Sequence, residues 1–139
     1  MTLHPSPQKS IFKTVGFWIA ALMAVLQALN AIRAFSAPVS FADYMGLPLA
    51  HASDVGFVYV YGLRAAFISL LVILFLTVRR FDALAWTAVA ALLMPVGDAL
   101  LAQSAGASSI TVFRHAAIAV YVVIAFFILR RTAASEMEH

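Results

Sequence analysis

The chain has no cysteine and is poor in charge. The first absence excludes disulfides, thiolate catalysis and Cys-ligated zinc or iron–sulfur centres. Asp and Glu together number six and Lys and Arg nine, so 11% of the 139 residues are charged, against about 25% in an average soluble domain. Several motifs are missing as well: there is no HExxH pair for zinc, no glycine-rich phosphate loop and no nucleophile elbow. A metal site is therefore not expected, and no cofactor is indicated. The formal charge of +3 comes from scattered pairs of cations rather than a basic stripe, which argues against nucleic acid as a partner. Neither a domain-sized repeat, a low-complexity tract nor a lipidation motif interrupts the pattern.

What fills the space is hydrocarbon. Hydrophobic residues make up 64% of the chain and the mean hydropathy is +0.98. A soluble domain of this length has no interior large enough to hide them, so lipid must cover the remainder. A helix rises about 1.5 Å per residue and needs about 20 apolar residues to cross the hydrocarbon of a bilayer. Runs of that order occur at residues 15–35, 55–78, 83–103 and 110–129. The fold class expected is thus all-α, an integral membrane four-helix bundle over residues 15–130. Residues 1–14 and 131–139 form tails. Lys9 and Lys13 precede the first run, Arg79 and Arg80 follow the second, and Arg130 and Arg131 follow the fourth. Positive residues mark the cytoplasmic side, so the N-terminus and the C-terminus are both predicted inside, as in a bacterial inner membrane. The first run is too long for the apolar core of a signal peptide and is read as a span.

The connections have their own chemistry. "RRFD" is short, so the second and third spans should be antiparallel neighbours, and "SAGASS" joins the last two as tightly. Ser53 or Asp54 and Asp82 are N-cap types before the second and third spans. The long linker "SAPVSFADYMGLPLAHAS" mixes Phe41, Tyr44 and Met45 with polar residues. It is expected to lie along the interface as a short helix or lid.

Candidate functional residues are the polar ones inside the spans. Asp98 lies roughly 8 Å inside the outer boundary of the third span at about 1.5 Å per residue, and Arg114 and His115 enter the fourth from the same side. Arg64 lies deeper in the second span, and Asn30 and Arg33 occupy the outer end of the first. Charged residues in spans cost on the order of 2.5–3.5 kcal/mol each on insertion scales and face the bundle interior, paired. Asp98 is accordingly expected to meet an arginine, Arg114 first and Arg64 second. Pro95 lacks an N–H and should open or bend the span beside it. Asp54, Tyr61 and Arg64 share one face of the second span, and Gln27 aligns with Asn30 on the first. Together these groups predict an outward cup over a floor of Phe, Met and Leu. In it, Asp98 and His115 are candidate acid–base residues, and Arg64, Arg114, Asn30, Tyr61 and Asp54 candidate ligand-binding residues.

Gly62-Leu63-Arg64 early in the second span, Gly97-Asp98 late in the third and His115 early in the fourth resemble the DoxX-like group of small four-helix bacterial membrane proteins. The likeness covers roughly residues 15–130. It implies a four-helix bundle and association with quinone-linked or redox membrane complexes, and it supplies no catalytic residues to carry over. Three readings of function stay open. The cup binds a small lipophilic or amphipathic molecule, a quinone among them, with isomerase, cyclase or hydratase chemistry as an extension. In another reading the buried charges are structural and the chain is an accessory subunit, with Ala83, Thr87 and Ala91 as a close-packing face for a partner. The third is a small proton-coupled transporter acting as a homodimer.

Overall fold

A computed structural model describes residues 11–137, which form six α-helices and two short 3-10 turns. The helices are α1 (Val15–Ser36), α2 (Pro38–Met45), α3 (Val55–Thr77), α4 (Phe81–Ala91), α5 (Leu93–Ser104) and α6 (Ser109–Met137). Four stretches are long and apolar enough to cross a membrane: Val15–Ser36, Ala52–Thr77, Phe81–Ser104 and Ser109–Met137. The third is the α4–α5 pair, broken for one residue at Leu92. Pro95 accounts for the break, because it has no N–H to offer the carbonyl of Ala91. The chain regains the helical ladder at once, with Val96 N–H donating to the Leu92 carbonyl at 3.3 Å. Lys9, expected to mark the first span, lies outside the described residues.

Three connections turn by the same device. A residue in the left-handed region ends the helix at Gly46 (φ 78°), Arg79 (φ 55°) and Gly106 (φ 74°). The N–H groups just beyond donate back into the last turn, as in Leu47 to Ala42, Arg80 to Phe75 and Ala107 to Ala102. At the helix starts the expected caps differ. Thr14 caps α1, accepting from the Phe17 N–H at 3.2 Å. Asp54 does not cap α3; its carboxylate reaches back to the His51 N–H at 3.0 Å. Asp82 sits in the first turn of α4 rather than before it and pairs with Arg80. The last helix runs on to Met137, so residues 131–137 are helix rather than tail. Thr132 and Ala133 stay buried, with the Thr132 side chain against Gly16 of α1.

The helices pack as two pairs, α1 with α3 and α6 with α4–α5, joined along α1 and α6. The short α3–α4 connection does not make those two helices close neighbours throughout; they meet near the turn, and α3 hardly touches α5. Small residues permit the close crossings: Ala20, Ala85, Ala88 and Ala125 are fully buried around Phe81, Leu84, Val72 and Leu129. Ser69 donates to the Ala24 carbonyl at 2.9 Å and Tyr121 to that of Ile19 at 2.7 Å, tying α3 and α6 to α1. A smaller cluster of Phe41, Ala42, Met45, Ala34 and Val58 docks α2 over one end. Outside this core the surface is greasy, with Trp18, Phe67, Leu70 and Phe127 each at least 60% exposed. Lipid is the solvent that accepts such a belt.

Gly62 marks a tight α1–α3 crossing, since a Cβ there would lie 3.0 Å from the Ala34 Cβ and 3.1 Å from the Phe35 ring. Gly62→Leu is expected to destabilise the protein by about 1–3 kcal/mol, the usual range for overpacking. Gly56→Leu, where a Cβ meets nothing within 4 Å, should be close to neutral. Thermal unfolding in detergent followed by tryptophan fluorescence distinguishes them, and equal midpoints for the two variants would refute the packing account.

Candidate functional site

At the end of the bundle covered by α2, the helices enclose a crevice of about 50 Å³. α1 contributes Gln27 and Asn30, α2 Tyr44 and Met45, α3 Tyr61, α5 Met94, Pro95 and Asp98, and α6 Arg114, His115 and Ile118. Five of the seven expected site residues therefore share one space. The other two stand outside it. Arg64 is exposed, and Asp54 is held in the turn before α3 by His51 and Ser53. Gln27, Tyr44, Met45, Met94, Pro95 and Ile118 complete the lining. Of these, Tyr44 and Met45 belong to the site because α2 folds over it, and the Phe, Tyr and Met residues of the linker were their signal.

Asp98 does not pair with an arginine. Its nearest polar contact is the Tyr61 hydroxyl, which donates across 3.5 Å from α3. The ion pair found among the described residues is Arg80 with Asp82, exposed at the opposite end. Arg114 is drawn elsewhere: it donates to the carbonyl of Tyr44, and its guanidinium lies over the Tyr44 ring at 3.7 Å from the centroid. Arg33 approaches the same ring at 5.6 Å. His115, buried, makes a 3.1 Å contact from Nε2 to the Met45 carbonyl.

These two partners have a common cause. Tyr44 and Met45 are the last residues of α2, and the last carbonyls of a helix have no intrahelical donor and carry partial negative charge. Arg114 and His115 supply donors to this end, so the cationic side of α6 is spent on fastening α2 rather than on neutralising Asp98. The carbonyl of Met45 can only accept, so His115 Nε2 carries the proton and Nδ1 is left as an acceptor when the ring is neutral.

Two groups on the wall remain under-used. The Nε atom of Arg114 is buried without a hydrogen-bond partner. The carboxylate of Asp98, able to accept about four hydrogen bonds, receives one long one. A buried polar group left unsatisfied costs about 1–3 kcal/mol, and a water needs about 10–15 Å³ of such space. The crevice therefore suits a few waters or a head group of a few heavy atoms that offers a donor to Asp98. Among the described residues no three His, Asp or Glu side chains converge to hold a metal ion. At the opposite end a wider depression lined by Thr14, Arg131, Thr132 and Ser135 has one cation and no acid.

Four apolar crossings with a polar crevice under a short helix define a multi-pass membrane protein. Residues 14–129 match the family described as Domain of unknown function (DUF4267), and the chain belongs to that family. No curated protein and no solved structure matches it.

Proposed function

We propose that the crevice beneath α2 binds the polar head of a small lipophilic or amphipathic molecule. One observation carries this reading: Asp98, whose carboxylate receives one long hydrogen bond, and Arg114, whose buried Nε has no partner, are residues of the same crevice wall. Tyr61 and Asn30 add further hydrogen-bonding groups, and Met45, Met94 and Ile118 supply an apolar floor, the mixture expected of a ligand site. Asp98 and His115 Nδ1 are the groups able to take and return a proton, so isomerase, cyclase or hydratase chemistry is the reaction class proposed. The DoxX-like resemblance adds quinone-type heads to the wider set of candidates. By the distribution of Lys and Arg, both termini lie in the cytoplasm and the crevice opens in the non-cytoplasmic leaflet of a bacterial plasma membrane.

Native mass spectrometry of protein extracted in mild detergent tests the reading. A bound small molecule should accompany the wild type and be lost from Asp98→Asn and from Arg114→Gln, with both variants still folded. A wild type without any such molecule, or variants that retain it unchanged, would overturn the proposal. The accessory-subunit role predicts a stoichiometric protein in the same spectrum. Its expected packing face is partly covered within the chain, since Ala91 is buried and Ala83 and Thr87 are half-buried.

A further inference from the structure

Resting on that reading, we infer that the bound molecule is a single-tailed amphiphile with a hydroxyl head, whose tail leaves the crevice sideways into lipid between α3 and α5.

α1 and α3 press together at Gly62, α5 lies against α6, and α1 and α6 are joined below the crevice, where Tyr121 donates to the Ile19 carbonyl. The top is sealed by α2, fastened through Arg114 and His115 and wedged at Gly46 against Ala107 and Thr111. The side between α3 and α5 differs, because these two helices hardly touch. Their link at this level is the 3.5 Å contact between Tyr61 and Asp98. Next to Asp98, a Cβ built on Gly97 meets nothing within 4 Å. Phe57, one turn before Tyr61 on the same face of α3, is 78% exposed, and Leu101, three residues after Asp98 on α5, is 55% exposed. The opening is thus flanked by apolar side chains and has the under-used carboxylate just inside it.

The head chemistry follows from Asp98, whose carboxylate needs a donor. A hydroxyl supplies one and can accept from a neighbouring group in return. A carboxylate would bring a second negative charge to Asp98, and an ether or a quinone carbonyl accepts without donating. The space of about 50 Å³ admits such a head but not a tail, so the tail must lie outside, in lipid. The class is therefore that of long-chain alcohols, and it excludes their ethers.

The test uses the full chain in lipid nanodiscs with two photoactivatable probes: a long-chain alcohol carrying a diazirine in its tail, and its methyl ether. The alcohol is expected to label residues of α3 and α5 flanking the opening, Phe57 and Leu101 among them, and the ether to label them at least tenfold less. Gly97→Trp, which fills open space, should cut alcohol labelling at least tenfold. Gly56→Trp, also placed in open space but away from Asp98, should not. Because the labelling map is read on the wild type, it decides the route even if the tryptophan variant folds poorly. Alcohol that occupies the crevice, is lost in Asp98→Asn and labels only α2 and α6 would overturn the sideways route while leaving the crevice as a binding site. Equal labelling by alcohol and ether would overturn the hydroxyl head. A crevice labelled by neither probe, in a protein that also retains no native molecule, would bring down the underlying reading as well.

Discussion

Gly46→Val is expected to destabilise the protein by about 2–5 kcal/mol and to release α2 from the bundle. Two effects add. Gly46 has φ 78°, where a β-branched side chain is strained by on the order of 1–3 kcal/mol. A Cβ there would also lie 2.8 Å from both the Ala107 Cβ and the Thr111 Cγ2, an overpacking of about 1–3 kcal/mol. The chain has few ways to relax, because Ala107 belongs to the α5–α6 turn, itself fixed by Gly106, and Thr111 to the first turn of α6. Detergent-solubilised protein unfolded by heat or denaturant measures the loss. Protease sensitivity between Pro38 and Asp54 measures the release. Combining Gly46→Ala with Thr111→Ala should recover part of the loss relative to Gly46→Ala alone, since one of the two obstructing groups is removed. A Gly46→Val protein as stable as wild type would mean that α2 is not held as described.

That α2 deserves such a test was only partly legible in the sequence. The four spans were readable because length and hydrocarbon content set a requirement that little else in a chain of this composition satisfies. Their ends were readable within a few residues for the same reason, except that α6 continues to Met137 through Arg130 and Arg131. The kink was readable from Pro95, whose missing N–H acts locally. Helix facing was not. In a soluble helix the polar stripe reveals the outward side, but lipid is as apolar as the core, so Tyr61 and Arg64, three residues apart on α3, gave no sign that the first lines the crevice and the second is exposed. The partner of Arg114 was hidden for a different reason. Charge matching considers side chains, and the competitor for the guanidinium was a backbone terminus created by a short helix in a linker. Pro38 at its first position and Gly46 just past its end are the start and stop signals that, taken together, locate those carbonyls.

Asp98→Leu is expected to raise the stability of the protein by about 1–3 kcal/mol while abolishing ligand retention. A carboxylate within a span is costly to place, by roughly 2.5–3.5 kcal/mol on insertion scales, and here no arginine offsets the cost. What it receives is one 3.5 Å contact from Tyr61, too long to be a strong hydrogen bond. An apolar side chain at this position loses that contact and gains burial beside Met94 and the open space at Gly97. Asp98→Asn should fall between leucine and wild type, since the amide keeps an acceptor for the Tyr61 hydroxyl without the charge. The direction separates two roles for the same residue. If Asp98 cemented the helices, removing it would lower the unfolding midpoint, because the part-buried Tyr61 hydroxyl would lose its partner, at about 1–3 kcal/mol. If it waits for a ligand, the empty protein is better off without it, the trade between stability and activity seen when a site holds a group its fold does not need. Unfolding midpoints of the wild type, Asp98→Asn and Asp98→Leu, taken after any retained molecule has been stripped, decide between them. A fall in the order wild type, asparagine, leucine would return Asp98 to a structural role and take the proposed ligand's donor contact with it.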